Sequence, residues 1–310
     1  MNETFRADRD ARDAGETRDA ARPNAVRSQA LTLELLQVDA SLGVPDRMAA
    51  VDATLTAVPR HARPEIACLP ELFVTGYGAN KAHLAWSARD TEAAIARMAE
   101  IARKSGTALV FGGPERDGAR LFNSAWLVDA DGTVRAHHRK IIIPPNQPSE
   151  RVFTPGSEVT VGDWNGWRIA LLVCFDLEFP ECVRAASLQG ADIVIVISAL
   201  WTRAPIVMRQ VAPVRAFEST CYLACVNYAG AGGGVDFLGE SCIIAPSGEP
   251  LASAPSRSAG RARATLTRED LAAARQAMDY TDLARRLASV APESVAKTSV
   301  AGASSVPAQE

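Results

Sequence analysis

The stretch RIALLVCFDLEFPE, Arg168–Glu181, decides the reading of the chain. Its first half, Arg168–Cys174, is an apolar run of strand length, and the polar cluster Asp176, Glu178 and Glu181 follows at once. Pro180 is placed to open a helix, because the first helical position does not need its N–H. A buried strand that runs directly into a helix is the unit of layered α/β proteins.

The pattern repeats outward from this segment. Ala30–Val38 and Ile66–Leu69 read as strands, and Asp46–Val58 as a helix. Thr91–Lys104 sets Ala94, Ile95, Met98 and Ile101 at helical spacing with charges opposite. Ala108–Gly112, Leu121–Val128 and Thr133–Arg139 form a meander with a turn at Asp131–Gly132, and Val159–Val161 pairs with Arg168–Cys174 across Asn165–Gly166. After the helix opened by Pro180, which ends near Gln189, Ala191–Ser198 is a buried strand. The helix over Ile206–Thr220 contains Pro213, which should kink or restart it. Tyr222–Tyr228, Ser241–Ala245, Pro250–Ala252 and Arg261–Leu266 complete the strands, and Arg268–Met278 is expected as the last helix. The GAGGG stretch, Gly230–Gly234, lacks a following Lys-Ser/Thr and reads as a flexible turn, not a phosphate loop. The whole predicts one α/β domain over residues 29–288 with helices covering sheet faces.

Residues 1–28 hold six Arg and six acidic residues but few large apolar ones, so a disordered arm is expected there, and a tail over 289–310. The 310-residue chain balances 33 Lys plus Arg against 36 Asp plus Glu, a net charge of -3. That gives no basic footprint for nucleic acid, and no apolar run reaches the length of a bilayer span, so neither nucleic acid nor membrane is an expected partner. Six scattered cysteines do not make a disulfide scaffold, which fits a reducing, cytoplasmic setting. The four histidines show no zinc-ligand spacing, Cys221 and Cys225 are not read as ligands, and no metal or other cofactor is expected.

Chemistry therefore has to come from other groups. Cys174, at a strand end beside a helix start, can present its sulfur to a pocket while the N–H of Phe175 faces an oxyanion; it can equally be a small core residue. Glu71 ends the apolar strand of CLPELF, where partial burial would raise its pKa toward that of a useful base, although a surface or capping role is open too. Lys140 follows Thr133–Arg139 and can stabilise an oxyanion, or simply lie along the surface. His137 and His138 alternate sides on their strand and offer no evident base. Trp201 can line a pocket mouth or pack, and Asp176 and Glu178 can orient the loop around Cys174.

Together, PELFVTGY around Glu71, HRK ending at Lys140 and LLVCFDLEFPE around Cys174 resemble the three motifs of the carbon–nitrogen hydrolase (nitrilase) superfamily, in that family's order. The resemblance extends from about Ala30 to Arg285 and includes Gln37, FTPG at Phe153–Gly156, RAFE at Arg215–Glu218 and LGESCIIAPSGEPLA at Leu238–Ala252. It implies an αββα sandwich, usually dimerised through sheet-flanking helices, and a Glu71–Lys140–Cys174 triad acting through a thioester. CFDLEFPE is most similar to the stereoselective amidase-like branch, which implies hydrolysis of a small carboxamide; N-carbamoyl amine hydrolysis and nitrile hydrolysis are the alternatives, and a non-enzymatic scaffold that keeps the fold is a further one, against which intact Glu71, Lys140 and Cys174 argue. Glu150 resembles the family's second glutamate, and with Tyr77, Phe175 and Trp201 it is expected to contact substrate. Where many relatives carry His two positions after the lysine, this chain has Ile142.

Overall fold

The computed structural model describes residues 28–147 and 149–290. The expected arm and tail lie outside these residues, apart from Ser28 and positions 289–290. In chain order the strands are β1 Ala30–Gln37, β2 Ile66–Cys68, β3 Ala108–Asp117, β4 Arg120–Val128, β5 Val134–Arg139, β6 Val161–Trp164, β7 Trp167–Val173, β8 Ile193–Ile197, β9 Tyr222–Val226, β10 Ala229–Gly232, β11 Val235–Leu238, β12 Cys242–Ile244, β13 Pro250–Ser253 and β14 Gly260–Thr267. The α-helices are α1 Val44–Ala57, α2 Asn80–Ala85, α3 Ala88–Ser105, α4 Pro180–Leu188, α5 Ala212–Ser219, α6 Arg268–Ala277 and α7 Tyr280–Val290.

Two six-stranded sheets form, in the orders β14-β1-β2-β3-β4-β5 and β13-β12-β9-β8-β7-β6. Because side chains alternate along a strand, each strand feeds two cores. Leu31, Leu33 and Leu35 of β1 meet Ile169, Leu171 and Val173 of β7 and Ile193, Ile195 and Ile197 of β8 between the sheets. The intervening residues point outward: Ala67, Leu109 and Phe111 pack with Met98, Ile101 and Ala102 of α3, and Leu172, Val194 and Val196 pack with Val183 of α4 and Ala216 of α5. A sheet buried on both faces reads as continuous apolar runs, which is how β7 and β8 stood out in the sequence. The layers are helix, sheet, sheet, helix, as the resemblance implied.

Local chemistry sets several boundaries. Ser87 and Asp90 form a reciprocal capping box at the start of α3, and Gly106 closes it at φ 69°. Asn165 (φ 47°) and Gly166 (φ 81°) make the expected tight turn before β7. Pro213 restarts its helix: a π-helical turn, Val207–Val211, absorbs the missing N–H, and α5 begins at Ala212.

Three expectations are corrected. The strand expected at Val159–Val161 begins at Val161 and runs to Trp164, because its register is set by the turn, which pairs Trp164 with Trp167. Gly230–Gly234 is not a flexible turn: Ala229–Gly232 and Val235–Leu238 form an antiparallel hairpin closed by Gly233 (φ 59°) and Gly234 (φ 80°). Arg268–Ala277 is not the last helix, since α7 follows it, with the Tyr280 ring 4.9 Å from that of Phe217 on α5.

Candidate active site

Glu71, Lys140 and Cys174 all leave the ends of strands in the same sandwich. Glu71 follows β2 through Leu69 and Pro70, and its N–H donates to the Ser198 carbonyl just after β8 (3.3 Å), which joins one sheet's loop to the other's. Lys140 follows β5; its N–H donates to the Asn123 carbonyl (2.8 Å), and its carbonyl accepts from Gly156 (2.7 Å). Cys174 follows β7 at φ 46° and opens a 3-10 turn, Cys174–Glu178. At the start of such a turn the first N–H groups have no intrahelical acceptor, and Phe175 N–H is one of these. Leu72, beside Glu71, also sits at φ 50°, so both loops hold a non-glycine residue in the left-handed region, where strain gathers at functional sites.

The side chains converge. Lys140 Nζ donates to Glu71 Oε1 (2.8 Å) and Glu150 Oε2 (3.1 Å), and Asn123 Nδ2 also donates to Glu71 Oε1 (2.7 Å). These side chains of Glu71, Lys140 and Glu150 are at most 1% exposed. Glu71 Oε2 is buried and has no hydrogen-bond partner among the described residues. Cys174 lies within the fields of Glu71 and Lys140 and receives hydrogen bonds from Ala199 N–H and the Ser198 side chain. It is half-buried, whereas the other five cysteines are buried.

The electrostatics follow from burial and from an excess of one negative charge. Burial raises the Glu71 carboxyl; Lys140 opposes this and Glu150 adds to it. Burial works against the charge on Lys140, but Glu150 and then Glu71 outweigh it and hold the ammonium well above its ordinary range. Burial and then Glu71 push the Cys174 thiol up, with Lys140 and the two hydrogen bonds pulling the other way. The resting sulfur is therefore a neutral thiol that needs a base at the moment of attack. A carboxylate with one free oxygen, a fixed ammonium and a thiol can together move a proton and stabilise an oxyanion.

Asp176 ties this arrangement together. Its Oδ1 accepts from the N–H groups of Ile141 (3.0 Å) and Ile142 (2.8 Å); its Oδ2 accepts from Val173 N–H (3.1 Å) and pairs with His138 Nε2 (2.9 Å). The loop bearing Cys174 is thus pinned to the chain just after Lys140. Asn123 and Ser198 carry no motif that singles them out, and the sequence reading passed them by; His138, read only as offering no evident base, pairs instead with Asp176. His137 turns the other way to Glu115 Oε2 (2.8 Å), as alternation on the strand requires.

The expected substrate contacts are placed unevenly. Glu150 joins the buried network directly. Tyr77 O–H donates to Gln147 Oε1 (2.7 Å), and its hydroxyl feels Glu150, Glu71 and Cys174. Trp201 packs in the apolar cluster of Tyr77, Tyr228 and Phe237, its indole N–H buried without a partner among the described residues. The Phe175 ring instead meets Phe179 edge-on at 5.2 Å. Gln37 lies outside the network: it binds Ser241 and the Pro255 and Ser258 carbonyls, locking β1 to loops of the other sheet.

Gly112 on β3 leaves room for the Glu71 loop. A Cβ there would stand 2.6 Å from Ile197 Cδ1 and 2.7 Å from the Leu72 backbone nitrogen. Gly112→Ala is expected to cost about 1–3 kcal/mol by overpacking, read by urea denaturation, and to lower turnover by displacing Glu71. An unchanged midpoint would contradict this packing account.

A family model described as carbon–nitrogen hydrolase matches residues 40–276. Among curated proteins, the chain is 32% identical over 254 residues to an (R)-stereoselective amidase of a Pseudomonas species, covering 81% of this chain and 90% of that protein. It is 29% identical over 259 residues to the 2-oxoglutaramate amidase of Bacillus subtilis, covering 82% and 98%. Among solved structures, an amidase from Nesterenkonia sp. superposes with a TM-score of 0.72 at 31% identity, covering 83% of this chain and 96% of that one. A mutant of that amidase carries acrylamide added to its active-site cysteine, and superposes with a TM-score of 0.71.

Proposed function

The chain belongs to the carbon–nitrogen hydrolase family, and from that premise we propose that it is a thiol-dependent amidase that cleaves a small carboxamide to carboxylate and ammonia through a thioester on Cys174. Glu71 Oε2 takes the thiol proton as the sulfur attacks the amide carbon. Lys140 Nζ and the N–H of Phe175 receive the developing oxyanion; losing one such donor typically costs about 2.7–4 kcal/mol of barrier. Glu71 returns the proton to the leaving ammonia, and the C–N bond breaks to give the thioester. Glu71 then takes a proton from water, which attacks the thioester, and returns a proton to sulfur as the acid departs. Glu150 holds Lys140 in place from its far side, and Tyr77 and Trp201 border the substrate space.

The observation that carries this reading is the divided carboxylate of Glu71: Oε1 is held by two donors while Oε2 is buried without one. An oxygen so placed is oriented by its twin and has a lone pair to offer. The test is a panel of primary carboxamides graded in size, including both enantiomers of amino acid amides, scored for ammonia. Stoichiometric ammonia and carboxylate support the reading. Carbon dioxide released with ammonia from N-carbamoyl amines alone, or ammonia from nitriles alone, would replace it with a neighbouring chemistry.

The pH dependence follows from Glu71. Only its ionised form accepts the thiol proton, and burial raises its pKa from the ordinary 4.5. kcat/KM should therefore rise with pH along an acid limb whose midpoint lies above 4.5. A limb at or below that value would contradict Glu71 as the base.

A further inference from the structure

Arg47 on α1 is 3% exposed, yet among the described residues no carboxylate pairs with its side chain and no acceptor is hydrogen-bonded to its guanidinium. Its guanidinium instead lies over two aromatic rings, 5.6 Å from the Phe73 centroid and 5.9 Å from that of Tyr228. Gly76 (φ 92°) makes the space for it, since a Cβ there would stand 2.9 Å from Arg47 Nη2. An arginine keeps its charge in any protein setting, so it cannot relieve burial by losing a proton as a lysine can. A buried charge with neither counter-ion nor acceptor is costly, and such an unmatched group points to an ion or water that completes it.

The guanidinium lines a half-open cavity of about 30 Å³, shared with Tyr77, Tyr228, Phe237 and the backbone of Gly232 and Gly233. No acidic residue lines it. Arg47 Nε and the Tyr228 hydroxyl are both buried and unpartnered among the described residues. Burial pushes the Tyr228 hydroxyl up, so it remains a neutral phenol able to donate. The volume suits one water or one small anion, but the unmatched positive charge selects between them: water supplies no counter-charge. We propose that the cavity at Arg47 is a binding site for a small monovalent anion of the carboxylate class, held by the Arg47 guanidinium and the Tyr228 hydroxyl.

The site borders the catalytic centre. Tyr77 forms a wall of the cavity and is also within the fields of Glu150, Glu71 and Cys174, and Phe73 lies two residues beyond Glu71. The anion can thus come from either of two sources, a carboxylate carried by the substrate itself or a free anion from solution. Arg47→Met keeps the stem against Phe73 and Tyr228 and removes the charge, while Tyr228→Phe keeps the ring and removes only the hydroxyl.

Two arms test the proposal. In the first, thermal unfolding is followed while acetate replaces the bulky anion of HEPES at constant ionic strength. The melting temperature of the native chain should rise saturably, by about 2–4 °C at several times Kd. The rise should vanish in Arg47→Met and shrink in Tyr228→Phe, and the latter alone decides if the former does not fold. The second arm rests on the amidase reading and compares kcat/KM for succinamate and its neutral analogue butyramide. If Arg47→Met lowers that ratio by at least about tenfold, the anion is the substrate's own carboxylate. If it removes the acetate shift and leaves the ratio alone, the anion comes from solution. A variant that leaves both the acetate shift and the ratio unchanged overturns the proposal. The first arm needs no turnover, so failure of the amidase reading would be seen separately as inactivity on every amide.

Discussion

Cys174→Ala is expected to lower amide turnover by about 10⁴-fold or more, with the urea midpoint little moved. The size of the effect follows from the proposed role, because removing the nucleophile leaves only binding and oxyanion stabilisation. The small stability change follows from position: Cys174 is half-buried at a strand end, and losing one sulfur there opens little cavity. The residue also sits at φ 46°, a strain that alanine inherits rather than relieves. Iodoacetamide labelling gives an independent readout. Because the thiol is pushed up, its reactivity depends on a base within reach, so Glu71→Gln should slow alkylation of Cys174 although the sulfur is untouched. Equal labelling rates in the native chain and Glu71→Gln would show that Glu71 does not act on this sulfur.

The second large effect belongs to Lys140. Among the described residues it is the one cation that hydrogen-bonds both Glu71 and Glu150, each at most 1% exposed. Lys140→Met leaves two buried carboxylates without their cation, and breaking a buried pair by removing one partner typically costs about 3–5 kcal/mol. Loss of the proposed oxyanion donor should add about 10²–10³-fold in kcat. The stability loss carries a pH signature. In the native chain burial already raises Glu71, and without Lys140 the opposing influence is gone, so the folded carboxyl binds its proton still more readily. An acid whose folded pKa exceeds its unfolded one destabilises the fold as pH rises through the folded value, and the penalty disappears below the unfolded value. Lys140→Met should therefore be most unstable near neutrality and recover toward the native chain as pH falls below about 4.5. A deficit that does not change with pH would mean that packing of the lysine stem, not its charge, is what the fold loses.

The sequence carried the layers well because β7, β8 and β9 are buried on both faces and written as unbroken apolar runs. It carried the candidate residues Glu71, Lys140 and Cys174 through three strand-end motifs in a recognisable order. Other features depend on contacts distant in sequence. Asp176 reads as one more polar residue after a cysteine, and only the folded chain brings it against Ile141, Ile142 and His138. Asn123 sits mid-strand on β4 and is lost in an apolar run until Glu71 is placed beside it. The β10–β11 hairpin was hidden by its glycines, which are read locally as freedom. They are in fact required by close approach: a Cβ at Gly233 would stand 2.4 Å from the Tyr77 carbonyl oxygen. Arg47 is similarly silent, since a charge in the first turns of a helix reads as solvent-facing. Helix α7, Tyr280–Val290, lies almost wholly before the tail expected at 289–310, inside the expected domain, but no element was assigned to it.

The most direct measurement is mass spectrometry of enzyme quenched during turnover of a slow carboxamide, with peptides mapped across all six cysteines. The account predicts an added mass equal to the acyl group, found on the peptide holding Cys174 and absent from Cys174→Ala. Steady amide hydrolysis with Cys174 unmodified throughout, or with the acyl group on another residue, would contradict it.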